Sequence, residues 1–146
     1  MKSRSFNLLV ILALFLSLLG SALTVTPAYA ASIVVNSNAD DTLVNLNSNG
    51  TCDLREAITN ANNDDQSGST ECPSGAGTDT ITFAESYVIS LNGSQLPTIT
   101  SPLSITGIGP TSAYTIIQAS TCDPISGGCT PSVNRVFQVS STGNLT

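Results

Sequence analysis

Beyond residue 78 the chain breaks into short β-branched and apolar pieces, at 80–83, 87–91, 96–99, 103–106, 114–117 and 135–139. Turn signals such as Asn92-Gly93, Ser101-Pro102, Gly107-Ile108-Gly109-Pro110 and Ser126-Gly127-Gly128 punctuate them. The pieces lie too close together for long hairpins and too regularly for a random loop, which leaves two all-β arrangements. One is an antiparallel sandwich. The other is a parallel β-helix, in which each coil lays down short strands separated by tight turns. A solenoid coil needs inward Ile, Val, Leu or Phe with small polar residues at its corners, and Phe83, Ile105 and Phe137 recur at coil-like intervals, the longer gap holding the Cys122–Cys129 loop. Tryptophan is absent, whereas an immunoglobulin-like sandwich centres its core on one. The pattern therefore favours the β-helix.

Upstream the signal changes character. Residues 32–36 and 42–46 read as two strands. Asp53-Leu54-Arg55-Glu56 then fits a capping box, Asp53 taking the N-cap and Glu56 reaching back to the N-cap amide. Leu54, Ala57, Ile58 and Ala61 recur at three- and four-residue spacing and make one apolar stripe, which Asn62, Asn63, Asp64 and Asp65 end. A helix of about ten residues is too short to be stable without something apolar beneath it. Residues 64–77, rich in Asp, Ser, Gly and Pro, form a loop around Cys72.

The N-terminus speaks to destination. Lys2 and Arg4 precede an apolar run over residues 8–19, shorter than the about 20 apolar residues of a membrane span. It matches the h-region of a secretory signal, and Ala28-Tyr29-Ala30 supplies a small-x-small cleavage site ending at Ala30. Removal of residues 1–30 takes away two basic side chains and moves the formal net charge from −6 to −8. Only Arg55 and Arg135 remain positive, which disfavours nucleic acid and electrostatic docking on an anionic membrane. No transmembrane segment is expected after signal removal. Cys52, Cys72, Cys122 and Cys129 all follow the cleavage site, and an even number in an exported chain reads as disulfides. Three pairings are possible, and sequence neighbours suggest Cys52–Cys72 with Cys122–Cys129. Zinc is the competing use of cysteine, but the chain has no histidine and no C-x-x-C pair.

The string Cys52-Asp53-Leu54-Arg55-Glu56-Ala57-Ile58-Thr59-Asn60-Ala61-Asn62 resembles the Cys-Ser-Leu-Arg-Glu-Ala signature of the CSLREA domain. That domain stands near the N-termini of large exported bacterial proteins with right-handed parallel β-helix or polymorphic outer-membrane-protein-like repeats. Ile33-Val34-Val35-Asn36-Ser37, Cys72-Pro73-Ser74-Gly75, Asp79-Thr80-Ile81-Thr82-Phe83, Leu96-Pro97-Thr98-Ile99 and Leu103-Ser104-Ile105-Thr106-Gly107 look like its surroundings, so the likeness covers most of residues 32–108. Asp53 departs from the signature Ser, and both are good N-caps. The resemblance implies a right-handed β-helix whose first coil is closed by the short helix. Leu54, Ala57, Ile58 and Ala61 would face that coil, and Arg55, Glu56, Thr59 and Asn60 would face outward or sideways. A Cys52–Cys72 bond would then staple the helix to the loop that enters the coil.

The expectation is thus a signal peptide at 1–30, a cap region with the CSLREA-like helix at 31–78, and the first coils of a parallel β-helix at 79–146. Residues 140–146 carry no closing cap, so the chain reads as the N-terminal piece of a longer protein. Arg55 could bond nearby carbonyls or a carboxylate such as Asp79, and Glu56 caps the helix, so neither is expected to be catalytic. Asp79, at the start of a strand, is expected to bond its own turn backbone. Asp40-Asp41 and Asp64-Asp65 have carboxylates that suit calcium but lack the spacing of known calcium loops. Serines and threonines have no histidine or mature lysine to activate them. The reading is a secreted or cell-surface, non-enzymatic, adhesin-like scaffold without cofactor or metal, whose ligand would be an extracellular carbohydrate or protein. Two rivals remain. One is a β-helix polysaccharide lyase or hydrolase with its site beyond residue 146; the other is a small free-standing disulfide-bonded domain. Asn49, Asn92 and Asn144 head glycosylation sequons that matter only in a glycosylating source.

Overall fold

The computed structural model describes residues 29–41, 46–47, 49–92, 94–109, 113–119 and 135–146. In chain order the elements are β1 (Ser32–Val35), α1 (Leu54–Asn63), β2 (Asp79–Phe83), β3 (Val88–Ser90), β4 (Pro102–Thr106), β5 (Ile116–Gln118) and β6 (Asn144–Leu145). A four-stranded sheet has the order β1-β2-β4-β6, and a two-stranded sheet joins β3 to β5. Every one of these pairings is parallel. Parallel neighbours cannot be joined by a tight hairpin and need a crossover. Between β1 and β2 the crossover carries α1; between β2 and β4 the chain passes through β3, and between β4 and β6 through β5.

The expected all-β right-handed parallel β-helix is corrected by this arrangement. The described residues form a small mixed fold of one parallel four-stranded sheet, one two-stranded sheet and a helix, and they do not define a solenoid of stacked coils. With the β-helix goes the description of residues 79–146 as its first coils. The physical reason lies in unequal layers. The segment between β1 and β2 spends its length on a helix and a disulfide-linked polar loop, the second sheet gains only two strands among the described residues, and β6 is only two residues long. Two expected strands are also missing. Residues 96–99 and 135–139 meet through a single parallel bridge, Ile99 to Val139. Leu96 and Ile99 donate to the carbonyls of Val136 and Gln138, but Pro97 between them has no N–H, so the ladder breaks. The expected strand at 42–46 falls mostly outside the described residues.

Register explains where the core sits. Ile33, Ile81 and Ile105 occupy one row across β1, β2 and β4, and Val35 stands beside Phe83. Alternation sends Ser32, Val34, Thr80 and Thr82 to the other face. The inward row is covered by α1, whose Leu54, Ala57, Ile58 and Ala61 are buried with Ile33, Val35, Ile81 and Phe83 in one cluster. Burying Leu54 and Ile58 contributes about 1.5–3 kcal/mol each, which holds a helix too short to persist alone. Burial fades along the chain: Leu103 is the last buried residue among those described.

Candidate functional site

The helix N-terminus is densely hydrogen-bonded. Asp53, in extended backbone, accepts the Glu56 N–H on Oδ1 at 2.9 Å, and the Asp53 N–H donates to Glu56 Oε2 at 3.2 Å, completing the capping box. The spare oxygens reach further. Asp53 Oδ2 accepts from the Asp41 N–H at 2.9 Å and Glu56 Oε1 from the Asn47 N–H at 2.6 Å, so two carboxylates fix the loop that leads into the helix. Burial pushes the Asp53 carboxyl up to about 6, against the pull of the Glu56 and Asp41 amides, and the nearby Glu56 and Asp41 carboxylates add to the rise. Cys52 and Cys72 are joined and buried, their Cα atoms 4.7 Å apart. Asn36 brackets Cys52 from the end of β1: its Oδ1 accepts the Cys52 N–H at 2.8 Å, and its own N–H donates to the Cys52 carbonyl at 3.0 Å.

The polar face of α1 is where the structure departs most from the expected orientation. Arg55, Glu56 and Asn60 do not face solvent; all three are buried. Arg55 Nε and Nη2 grip Asp40 in a bidentate pair at 3.0 and 3.1 Å, and Nη1 and Nη2 also donate to the carbonyls of Gln95 at 2.7 Å and Ser94 at 3.0 Å. Its carboxylate partner is Asp40, not Asp79. Asp40 Oδ2 in turn accepts the Asn92 N–H at 2.7 Å, so one ion pair joins the helix, the loop after β1 and the loop after β3. Asn60 uses both ends of its amide. Its Nδ2 donates to the carbonyls of Ser69, Cys72 and Pro73, and its Oδ1 accepts the Ser69 N–H at 2.9 Å. Asn62 repeats the device toward β4, donating to the Thr98 carbonyl and accepting from the Thr100 N–H, both at 2.8 Å. The reason for burial is enclosure: strands cover the apolar stripe while loops 69–73 and 94–100 cover the flanks, and their free carbonyls need donors.

Sequence reasoning missed Asn60, Asn62 and the Asp40 partner. A signal existed for the asparagines, since Asn is a poor helix former that competes for backbone bonds, and three within ten residues of helix (Asn60, Asn62 and Asn63) call for a reason. The acidic pairs are occupied by protein. Asp41 Oδ2 accepts from Asn49, Asp64 caps the helix C-terminus in left-handed backbone and accepts the Gly77 N–H, and Asp65 accepts the Ser67 N–H. Hydrogen bonds to Ser67 lower the Asp65 carboxyl below its usual range. Among the described residues no group of three or more His, Cys, Asp or Glu side chains is placed to hold a metal. Asp79 accepts the Ala76 N–H at 2.9 Å, the turn bond expected of it, and also the Ala31 N–H at 3.1 Å.

At the far end of the sheets Phe83, Ile105, Ile117, Phe137 and Leu145 line an open apolar cleft of about 320 Å³. No titratable side chain lines it. Cys122, Cys129 and Ala28 lie outside the described residues, as does the apolar run at 8–19. Ala30 is exposed just before β1. Among the described residues no helix is long and apolar enough to cross a membrane. Comparison of the chain with protein-family models, with curated proteins and with solved structures gives no match.

Proposed function

We propose that this chain is an exported, non-enzymatic scaffold, in which a disulfide-linked helix covers the inward face of the first strands of a parallel sheet and the assembly presents a binding surface outside the cell. The observation that carries the reading is the fate of the polar residues on α1. Arg55, Asp53, Glu56 and Asn60, the groups that chemistry would recruit, are buried and committed to backbone amides, carbonyls and Asp40. Side chains spent in this way hold loops together and offer nothing to a substrate. The signal-like residues 1–30 and the buried Cys52–Cys72 pair support export to an oxidising compartment. The likeness of residues 52–62 to the CSLREA signature supports membership among exported surface proteins and, with it, an adhesin-like role toward extracellular carbohydrate or protein.

The test begins with the full precursor produced in an exporting host, its medium and cell surface separated from the cell interior. The processed chain is expected outside, lighter by residues 1–30 and without a reactive thiol at Cys52 or Cys72. Retention inside the cell at full length would overturn export. The exported protein is then applied to arrayed extracellular polysaccharides and proteins. Saturable retention without shortening of any polysaccharide is the expected result, and progressive shortening would select the lyase or hydrolase rival.

A further inference from the structure

Asp79 occupies a place that carboxylates seldom take. It opens β2 on the inward face, opposite Leu103 of β4, and is fully buried. Both of its bonds fall on one oxygen: Oδ1 accepts the amides of Ala31 and Ala76, while Oδ2 is buried without a partner. A buried acceptor left idle is costly. Its surroundings do not relieve it. Gly75 approaches so closely that a Cβ there would stand 2.8 Å from Oδ2. Asp64, facing it from the helix C-terminus, carries charge of the same sign. Residues 74–78 contribute only Ser, Gly, Ala, Gly and Thr, and β4 presents Leu103.

The residue on the other side of that bond is Ala31, the one that follows the small-x-small site. Tyr29 is 76% exposed and Ala30 is exposed, whereas Ala31 is half-buried and its carbonyl accepts the Thr80 N–H at 2.9 Å. Among the described residues, packing therefore begins at the peptide bond where the signal would be cut. Hydrolysis of that bond by a signal-removing peptidase adds one water across it, leaving a carboxylate on Ala30 and an amine, protonated at neutral pH, on Ala31. A nitrogen that offered one proton to Oδ1 then offers three, with a full positive charge.

We propose that the α-ammonium of Ala31, created by removal of residues 1–30, is the partner for which Asp79 is placed, and that this ion pair fastens the start of β1 to β2 in the processed chain alone. The proposal rests on the export reading above. In the unprocessed chain burial pushes the Asp79 carboxyl up, with the like charge of Asp64 adding to the rise; an ammonium beside it favours the charged form of both groups, drawing the carboxyl down and the amine up.

The chain supplies its own probe. Lys2 is its single lysine and leaves with the signal, so the α-amine becomes the one primary amine of the processed protein. An amine-directed acylating reagent then reports on Ala31 alone. The precursor is exported and processed, its new first residue fixed by intact mass, and the rate of acylation followed against pH in the native and urea-unfolded protein. Pairing raises the native amine pKa by about one unit or more above its ordinary value of about 8, slowing labelling at pH 8 by several-fold. Burial without pairing would lower that pKa, so the direction separates an ion pair from simple shielding. Asp79→Asn is expected to abolish the rise. A chain that begins at Ala31 with an unraised native pKa overturns the pairing alone, and needs no variant to do so. A chain that begins at another residue, or is not processed, overturns the cleavage site and the pairing together.

Discussion

Arg55 shows how a single side chain can decide whether the loops of a small fold stay in place. Its guanidinium is buried against an equally buried Asp40 and two backbone carbonyls. Removing one member of such a pair leaves the other charged and unpaired, which costs about 3–5 kcal/mol. Arg55→Ala is accordingly expected to lower the urea midpoint steeply, and Arg55→Lys to lower it less, since an ammonium cannot reproduce the bidentate fork. Asp53 gives a second test, in pH. Its folded pKa of about 6 lies above the ordinary carboxyl value of 3.8. A raised pKa means that the folded state binds the proton more tightly, so the contribution is fully present below the unfolded value and is lost as pH rises through about 6. It is worth on the order of 3 kcal/mol for a shift of this size. Thermal melts are expected to show this share of stability declining between pH 4 and pH 7. Asp53→Asn, which keeps a good cap, should flatten that decline. The cap itself was legible in Asp53-Leu54-Arg55-Glu56 because a capping box is purely local. The Asp40 partner was not legible, because residues 40 and 55 are brought together only by the packing of a loop.

At the scale of elements, α1 is held as much by its flanks as by its apolar stripe. Gly75 lies where the loop after the disulfide crosses the helix, and a Cβ there would meet the Asn60 carbonyl at 2.4 Å and the Ala61 Cα at 2.7 Å. These are backbone atoms and cannot swing aside. Gly75→Ala is therefore expected to force the loop away from α1, disturb the Asn60 bonds to Ser69, Cys72 and Pro73, and destabilise the protein by about 1–3 kcal/mol. Equilibrium denaturation measures it, and an unchanged midpoint would show that the loop has slack that the contacts deny. The Leu54, Ala57, Ile58 and Ala61 stripe was legible because its spacing is the helix period. The burial of the opposite side was not, because three- and four-residue periodicity locates an apolar face but is silent on whether loops close over the polar one.

Over the whole molecule the decisive quantity is the decline of burial from the first strands to the last. Strand positions could be read from β-branched runs, and β1, β2, β3, β4 and β5 fall on or within one residue of five of them. What the runs could not convey is how many neighbours each strand finds. The expectation of stacked coils treats every run as equal, but Pro97 interrupts one, the second sheet has two strands among the described residues, and Ile105, Ile117, Phe137 and Leu145 are only partly buried. Cooperative stability should follow the same gradient, because local opening is cheapest where few apolar contacts must be broken. Hydrogen exchange on the oxidised protein is expected to leave the amides of Ile33, Ile81 and Ala57 slowest, near the global limit. Ile116, Asn144 and Thr146 should exchange far sooner, although each donates a backbone bond of 2.8 to 3.4 Å. Bond length does not set the order here; the side chains beside those bonds do, since at the late strands they are half-buried or exposed. Equal protection at both ends would mean that the late strands unfold only with the whole, and that the open cleft between Phe83 and Leu145 is no weak point. A reducing agent supplies the complementary arm: opening Cys52–Cys72 should erode protection at Ala57 before it reaches Ile81, because Cys52 leads straight into the helix and touches the sheet at Asn36, beyond the end of β1, one strand away from Ile81.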